Sequence, residues 1–353
     1  MQHGAPPGAS EPSTPGNPEV PSEAVISNGS TVSVPSLEVI PVSRWVSLCR
    51  PSMLLFSAVP VFFTLVYLGA LGDRVVPVLA ILTLLAASLV HAGANVLDEY
   101  LDYERLQRAD LPLESNTIFP SGGVLATSDI PPLLALRFGI GLLVAGTIVG
   151  IPLAGVGGLP VVLIGMTGLL GSVLYSSTSF ALKHLPGGGE IAAFLALGPG
   201  IVIVTTLIQH QRITPALILI ACAIGLLTAM VVLVVHMGRM PQDAASGRRT
   251  IATVAGESKS RAFVSLLGFV AYVCVFIAVF RLGAPYGLLA VVLAIPAGIL
   301  AATSALRAAS TAAWRMAAEQ MVREYLYFLG WALAGLVINT AVLRILPIIS
   351  FVR

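Results

Sequence analysis

The sequence predicts an all-α membrane protein with nine transmembrane helices. Of its 353 residues, 56% are hydrophobic and only 10% are charged, whereas soluble domains carry about 25% charged residues. The apolar residues come in runs of roughly 20, the length that a helix needs to cross the hydrocarbon core of a bilayer. Positively charged residues fall mainly between alternate pairs of runs, as expected when every second loop faces the cytoplasm.

The first 41 residues differ in composition from the rest of the chain. The stretch MQHGAPPGASEPSTPGNPEVPSEAV is rich in Pro, Ser, Gly and Glu and contains little that could be buried. This composition is typical of disordered segments. A basic start followed by an apolar stretch, the mark of a secretory signal, is absent. We therefore expect residues 1–41 to be a disordered cytoplasmic tail and residues 42–353 to be the transmembrane domain.

Nine apolar segments follow the tail, and a short amphipathic segment, 42–50, is expected to lie along the membrane interface before them. The predicted spans are 52–72, 75–97, 131–153, 159–181, 190–209, 213–237, 262–281, 286–306 and 324–346. With the N-terminus inside, fourteen of the 19 Lys and Arg residues lie on the inner side. The five on the outer side are Arg74, Arg212, Arg281, Arg344 and Arg353. The positive-inside rule therefore predicts a multi-pass protein of the cell membrane with a cytoplasmic N-terminus.

Acidic side chains are concentrated where the second predicted span ends, in the segment NVLDEYLD (95–102). Residues three and four positions apart share a helix face, so Asn95, Asp98 or Glu99, and Asp102 are predicted to point the same way. Two carboxylates 4 Å apart repel each other by about 4 kcal/mol at an effective dielectric constant near 20, so a cation should lie close by. Clustered oxygen ligands suit Mg²⁺, which also binds phosphate oxygens. A solvated helix end is the alternative, which the number of acids disfavours.

A second polar segment, HMGRMPQDAASGRRTIATVAGE (236–257), follows the sixth predicted span. It contains Asp243 together with Arg239, Arg248 and Arg249, and guanidinium groups match the geometry of phosphate oxygens. The positive-inside bias would place arginines in this loop in any case, so the segment alone is ambiguous. Beside the acidic stripe at the same membrane face, it predicts a site for Mg²⁺ and a diphosphate.

Five segments carry a resemblance to a known family. They are WVSLCRPSMLLFSAVPV (45–61), NVLDEYLDYE (95–104), PSGGVL (120–125), LYSSTSFALKHLPGGGEIAAFLALGPG (174–200) and SGRRTIATVAGE (246–257). In this order and spacing they resemble the UbiA-type membrane prenyltransferases, and most closely the branch that prenylates dihydroxynaphthoate in menaquinone synthesis. The resemblance runs from about residue 45 to the C-terminus. It implies nine helices around a central cavity that opens sideways to lipid, with a polyprenyl diphosphate and Mg²⁺ held between two Asp-rich segments.

The resemblance also implies roles for individual residues. Those expected to bind the metal are Asn95, Asp98, Glu99, Asp102 and Asp243. The resemblance places Lys183, Arg248 and Tyr175 at diphosphate-binding positions, and the guanidinium groups of Arg239 and Arg249 are expected to bind the diphosphate as well. Further substrate contacts are expected at Arg50 and Tyr100, although an aromatic side chain such as Tyr100 more often serves in packing. Two histidines near the same membrane face, His91 and His236, are candidate proton acceptors, although a histidine at a helix end is more often packed or solvated.

The second Asp-rich motif departs from the family pattern, which is Asp-x-x-x-Asp. Arg239 stands where the first aspartate is expected, and Gly238 stands where the family usually has arginine. In addition, Asp98 stands where this branch often has Asn. We expect one Mg²⁺ in place of two, with Arg239 supplying positive charge to the diphosphate. Loss of activity or a changed reaction is the alternative.

The expected activity is transfer of a prenyl group from a prenyl diphosphate to a small aromatic acceptor of the quinone-precursor type. Mg²⁺ and the cationic side chains would stabilise the departing diphosphate, and an apolar chamber would shield the carbocation from water. The expected partners are the diphosphate, the acceptor and membrane lipid, with no nucleic acid. Three alternatives stay open: a terpene cyclase that needs no acceptor, a transporter, in which intramembrane acids are equally expected, and a member that binds the diphosphate without turnover.

Overall fold

A computed structural model of the chain describes residue 1 and residues 40–108, 123–128, 130–176, 181–245 and 247–351. The predicted disordered tail, 1–41, lies almost entirely outside this part of the chain, as do residues 120–122 of the PSGGVL segment. Within the described residues the regular secondary structure is helical and includes no strand. The prediction of an all-α fold is therefore confirmed.

Long helices joined by short connections make up the described ranges. In chain order, the α-helices are α1 (Val42–Leu48), α2 (Pro51–Ala70), α3 (Pro77–Arg108), α4 (Val124–Thr127), α5 (Pro132–Ser176), α6 (Gly188–Leu195), α7 (Ile201–Ile208), α8 (Pro215–Gly238), α9 (Met240–Ala245), α10 (Ile251–Ala255), α11 (Glu257–Leu282), α12 (Ile295–Arg307) and α13 (Thr311–Phe351). Two 3₁₀ segments, Leu182–His184 and Tyr286–Ala294, and one π segment, Ala196–Gly200, lie between them.

Eight helical stretches in the described ranges are long and apolar enough to cross a membrane. They are Pro51–Ala70, Pro77–Arg105, Pro132–Ser176, Gly188–Ile208, Pro215–Gly238, Glu257–Leu282, Tyr286–Arg307 and Thr311–Val342. The third of these, α5, has 45 residues but is interrupted at Gly158, whose φ of 70° and ψ of −165° are not helical. Glycine adopts this conformation because it has no Cβ. The two halves of α5 match the predicted spans 131–153 and 159–181, so the nine predicted spans correspond to eight helical stretches, one of them divided.

Two predicted connections are partly helical in the structure. Helix α3 continues beyond residue 97, where its span was predicted to end, as far as Arg108, and α13 begins at Thr311 instead of residue 324. At 1.5 Å per residue these helices are about 48 and 62 Å long, well beyond the hydrocarbon thickness of about 30 Å. Hydropathy marks the part of a helix that suits lipid, whereas the backbone hydrogen bonds continue into polar sequence.

Helix α8 is the central helix of the bundle. In its most apolar stretch 67% of the residues are buried, whereas the corresponding figure for α5 is 11%. It packs against α6, α11 and α13, while α5 packs along α3 and leaves most of its surface for lipid. The end of α8 and the end of α3 lie on the same side of the bundle, where the start of α11 also lies. We call this side the polar end.

A close backbone approach joins the 3₁₀ segment Tyr286–Ala294 to α13. A Cβ atom added at Gly335 would overlap the carbonyl oxygen of Gly287, whereas one added at Gly330, on the same helix, would meet nothing within 4 Å. We therefore expect Gly335→Ala to destabilise the protein by about 1–3 kcal/mol through overpacking. Thermal unfolding in detergent micelles would show a lower Tm for this variant and an unchanged or raised Tm for Gly330→Ala. Equal Tm values for the two variants would contradict a tight contact between Gly335 and Gly287.

Candidate active site

The acidic residues at the end of α3 point in two directions, where the sequence predicted one. Asn95 and Glu99 face the junction of α1 and α2: the Asn95 amide donates to the carbonyl of Cys49 at 3.0 Å, and Glu99 accepts from the backbone N–H of Leu125 at 3.3 Å. Asp98 and Asp102 lie on the neighbouring face. The two residues of each pair are four positions apart and therefore lie on one stripe of the helix. The two stripes are separated by about 100° around the helix axis, the angle between adjacent residues.

Lys183 supplies the cation that the repulsion between Asp98 and Asp102 requires. Its Nζ lies 2.7 Å from Oδ1 of Asp102 and also donates to Oδ1 of Asp98. The side chain of Lys183 is buried, and its Nζ lies 5.9 Å from the ring centroid of Tyr175. The hydroxyl of Ser176 donates to the same oxygen of Asp98. The 3₁₀ segment that carries Lys183 is thus tied to α3.

Arg248 joins the two Asp-rich segments. Its Nη2 donates to Oδ1 of Asp102 at 2.6 Å and its Nη1 donates to Oδ1 of Asp243 at 3.2 Å. Burial alone would lower the pKa of Arg248, but the carboxylates of Asp102, Asp243 and Asp98 outweigh burial and hold that pKa above its usual value. The guanidinium therefore stays charged and bridges α3 and α9. We call Asp98, Asp102, Lys183, Asp243 and Arg248 the charged cluster.

Arg50 closes one side of the charged cluster. Its Nη1 lies 2.9 Å from Oδ2 of Asp98 and its Nη2 lies 2.6 Å from Oε2 of Glu99. The backbone of Arg50 has φ 52° and ψ 66°, a left-handed conformation that is uncommon outside glycine, and Pro51 follows it. Such strain costs about 1–3 kcal/mol and persists where the surroundings enforce it, often at functional sites. The ion pairs with Asp98 and Glu99, which lie on the two neighbouring stripes of α3, hold Arg50 in place.

Two further arginines stand at the edge of the charged cluster. Nη2 of Arg239 lies 3.8 Å from Oδ2 of Asp102, and Nη2 of Arg105 lies 3.6 Å from Oδ1 of the same residue. Their side chains are 30% and 23% exposed, whereas that of Arg248 is 4% exposed. Together with Arg50, Lys183 and Arg248, these make five cations around four carboxylates, the fourth being Glu99. The excess of positive charge and the exposure of the outer arginines make this region able to take up an anion.

Two predicted site residues lie away from the charged cluster. Arg249 is exposed, and within the described ranges no ion pair joins it to another residue. Tyr100 packs against an apolar cluster that includes Leu48, Val96 and Leu125. Tyr100 is two positions from both Asp98 and Asp102, so it projects about 200° away from each of them around the helix.

The two candidate histidines have different partners. Nδ1 of His91 lies 3.0 Å from the hydroxyl of Ser57, and Nδ1 of His236 lies 3.0 Å from Oε1 of Glu190. Sequence reasoning did not select Glu190, although an acid inside the apolar run GEIAAFLALG is a signal in itself. It also missed Ser176 and Arg105, which carry no such signal because serines and arginines are common at the ends of spans.

The carboxylates of Asp98, Asp102 and Asp243 fit a hard cation such as Mg²⁺. A cation already lies between the first two, since the ammonium of Lys183 bonds to both, and Asp102 and Asp243 meet through Arg248. In the described part of the chain, no three His, Cys, Asp or Glu side chains are gathered closely enough to form a metal cage. The donor set therefore suits an ion held by one or two carboxylates and by the oxygens of a bound phosphate.

Comparison with known proteins identifies the family of the chain. Residues 57–329 match the UbiA prenyltransferase family. Among characterised relatives, the 1,4-dihydroxy-2-naphthoate octaprenyltransferase of Bacillus subtilis (strain 168) is 24% identical over 228 residues, which are 65% of this chain and 71% of that protein. This relative supports the predicted branch.

Solved structures show the same fold. A UbiA homologue from Archaeoglobus fulgidus bound to DMAPP and Mg²⁺ aligns with a TM-score of 0.57 at 15% identity, over 81% of this chain and 99% of that one. The apo structure of a UbiA homologue from Aeropyrum pernix K1 also aligns with a TM-score of 0.57, at 17% identity, over 80% of this chain and 97% of that one. The family match covers well over half of the chain, so the chain belongs to the UbiA prenyltransferase family and is a multi-pass membrane prenyltransferase.

Proposed function

We propose that the chain transfers a prenyl group from a prenyl diphosphate to a hydroxylated aromatic acceptor of the quinone-precursor type. The observation that carries this proposal is the charged cluster, in which Lys183 and Arg248 share Oδ1 of Asp102 at 2.7 and 2.6 Å. An anion that entered beside Asp102 would meet cations contributed by α3, by the 3₁₀ segment and by the loop after α9. A polar head would be held at the polar end, while an apolar tail extended between the spans.

The diphosphate would bind on the exposed side of the charged cluster. Arg239 and Arg105 are the more exposed cations there, with side chains 30% and 23% exposed, and they lie 3.8 and 3.6 Å from Asp102. Lys183 and Arg248 would complete the site from the buried side. The Archaeoglobus relative, described as bound to DMAPP and Mg²⁺, supports this choice of ligand.

The acids would hold Mg²⁺ with the diphosphate. Asp98 and Asp102 on α3 and Asp243 on α9 are the residues we assign to it, and Arg239 would supply charge where the family pattern has a second aspartate. Mg²⁺, when bound, would neutralise part of the negative charge on the leaving diphosphate. Lys183 and Arg248, fixed by their ion pairs, would stabilise the same charge without having to reorganise.

The spans would protect the reactive cation. When the allylic C–O bond breaks, its electron pair leaves with the diphosphate, and the carbocation needs surroundings without water. The electron-rich acceptor ring then attacks. The similarity to a 1,4-dihydroxy-2-naphthoate octaprenyltransferase supports a bicyclic hydroxylated acid as this acceptor. The surplus of Lys and Arg at the polar end supports a cytoplasmic site and N-terminus.

A product assay tests the function directly. Purified protein in nanodiscs would be incubated with prenyl diphosphates of several lengths, with and without hydroxylated aromatic acids such as 1,4-dihydroxy-2-naphthoate, and with Mg²⁺ or EDTA. We expect mass spectrometry to find a prenylated aromatic product only when acceptor and Mg²⁺ are both present. Release of a hydrocarbon or terpene alcohol from the diphosphate alone would point to a terpene cyclase and would contradict the proposal.

Adjacent arginines provide a matched test of the diphosphate site. Arg248→Gln removes a buried guanidinium that contacts Asp102 and Asp243, and we expect kcat to fall about 100-fold, as for loss of one stabilising group in a preorganised site. Arg249→Gln changes the exposed neighbour and should stay close to wild type. Initial rates and the Kd for a non-reactive prenyl diphosphate analogue would be compared. Equal losses in the two variants would argue against a specific role for Arg248.

The exchange of aspartate for arginine in the second motif gives another test. We expect Arg239→Asp to lower kcat/KM for the prenyl diphosphate at least about tenfold, because it places a carboxylate beside Asp102 and the incoming anion. Arg239→Lys keeps the charge and should retain most of the activity. Rates would be measured across a range of Mg²⁺ concentrations. Higher activity in Arg239→Asp would show that the arginine impairs the site.

A further inference from the structure

A buried acid–histidine pair lies beside the charged cluster, and the proposed diphosphate site does not include it. Glu190 is in the first turn of α6, and His236 is in the last turn of α8. Oε1 of Glu190 lies 3.0 Å from Nδ1 of His236, and their side chains are only 5% and 9% exposed. The other oxygen of Glu190 is buried and has no hydrogen-bond partner in the described ranges. The imidazole is therefore the one described partner of a buried carboxylate.

The partner of Nδ1 determines which nitrogen of the neutral ring carries the proton. A carboxylate only accepts, so Nδ1–H donates to Glu190 and Nε2 keeps its lone pair. If Nε2 takes up a proton, the resulting imidazolium forms an ion pair with Glu190 inside the protein. The pair is thus built to accept a proton at Nε2.

His91, the other candidate, is held differently. The hydroxyl of Ser57 donates its own proton to the carbonyl of Leu54 at 2.9 Å, so it accepts from Nδ1 of His91 at 3.0 Å. Nε2 of His91 also has a free lone pair when the ring is neutral. However, a neutral hydroxyl does much less than a carboxylate to stabilise an imidazolium. The two histidines therefore differ in the group that would balance an imidazolium, because only His236 has a carboxylate, that of Glu190, as its partner.

The absence of a side chain at Gly189 lets the His236 ring pack close to the backbone of Lys183, a member of the charged cluster. A Cβ atom added at Gly189 would lie 2.9 Å from Cε1 and 3.6 Å from Nε2 of His236, and 3.6 Å from Cα of Lys183. The Nε2 edge of the ring thus packs where Gly189 has no side chain, close to the backbone of Lys183. The ammonium of that lysine bonds to Asp98 and Asp102. The pair therefore lies next to Lys183, which is itself part of the proposed diphosphate site.

The titratable groups around this pair come from several elements. Glu190 of α6 is the direct partner of His236, and Arg239 follows on the end of its own helix. On α11, Arg261 pairs with Glu257 and donates to the carbonyls at the end of α12, so it is engaged elsewhere. Titratable groups on elements that pack against α6 or α8 also include Lys183 of the 3₁₀ segment, Tyr175 of α5, Asp243 of α9 and Glu324 of α13.

We propose that His236 accepts the proton released by the acceptor ring. Glu190 is a positioning residue, which orients the ring of His236 and balances the charge of the imidazolium. A bond forms between the prenyl C1 and an acceptor ring carbon, and the electron pair of the broken C–O bond leaves on the diphosphate. The ring carbon then loses its proton to Nε2, which restores aromaticity, and the imidazolium is balanced by Glu190. This inference rests on the proposed function, since it requires an aromatic acceptor.

The first test removes the proton acceptor and keeps the hydrogen bond. In His236→Asn the amide nitrogen can still donate to Glu190, but no nitrogen can take up a proton. We expect kcat to fall about 100-fold, as for the loss of a general base, while the Kd for a non-reactive prenyl diphosphate analogue stays within about twofold, since that analogue is bound by other residues. With an acceptor deuterated at the attacked carbon, the variant should show a larger isotope effect on kcat than wild type.

The second test changes the carboxylate. In Glu190→Gln the imidazolium formed in the step has no counter-charge, so proton transfer should slow and the isotope effect on kcat should grow, while the Kd for the diphosphate analogue stays within about twofold. Glu190→Asp, which keeps the charge, should restore most of the wild-type rate and isotope effect. His210→Asn, at an exposed position between α7 and α8, should match wild type.

The outcomes separate this inference from the function on which it rests. If wild type prenylates no aromatic acceptor, the proposed function fails. If wild type does so but His236→Asn shows no larger isotope effect, only the role of His236 is overturned. A larger isotope effect in His91→Gln with none in His236→Asn would assign the proton to the other histidine. A Glu190→Gln variant that lowers kcat without enlarging the isotope effect would show that Glu190 has only a structural role.

Discussion

The architecture at the polar end depends on one carboxylate, that of Asp102. Its Oδ1 accepts from Lys183 at 2.7 Å and from Arg248 at 2.6 Å, so a single atom joins α3, the 3₁₀ segment after α5 and the loop after α9. Ion pairs of this kind contribute little net stability, but loss of one partner leaves a buried charge and costs about 3–5 kcal/mol. The interaction thus specifies the arrangement of these elements. The groups that fix the fold at this end are also those that would hold a phosphate.

Much of the fold follows from hydropathy and charge. Membrane-length apolar runs predict the spans because a helix satisfies its own backbone hydrogen bonds in lipid. The predicted spans leave residues 154–158 as a connection, and the structure interrupts α5 at Gly158. Hydropathy does not predict that α3 and α13 continue as helices into polar sequence, because intrahelical hydrogen bonds do not depend on apolar side chains. Nor does it reveal that α8 is buried while α5 faces outward, since both are uniformly apolar and only the packed bundle distinguishes them.

The candidate site was less accessible from sequence. Periodicity placed Asp102 on one face with Asp98 or Glu99, and repulsion required a cation near them, but which cation depends on how the 3₁₀ segment folds back. Adjacent residues on a helix differ by about 100°, so the pattern could not decide whether Asp98 or Glu99 accompanies Asp102. Nothing in the sequence distinguishes Arg248 from Arg249, yet Arg248 is buried and Arg249 is exposed. The partnership of Glu190 with His236 joins residues 46 positions apart and is visible only in three dimensions.

The separation of the cluster's members along the chain bears on how the protein is made. Lys183 comes 81 residues after Asp102 in the sequence, and Arg248 comes 146 residues after it. During insertion into the membrane, Asp102 is therefore synthesised well before either of these two partners, and the charged cluster cannot be complete until α8 and the loop after α9 have followed. Premature burial of Asp102 would leave its charge without them, so the order of translation favours assembly of the cluster only after α8 has entered the membrane.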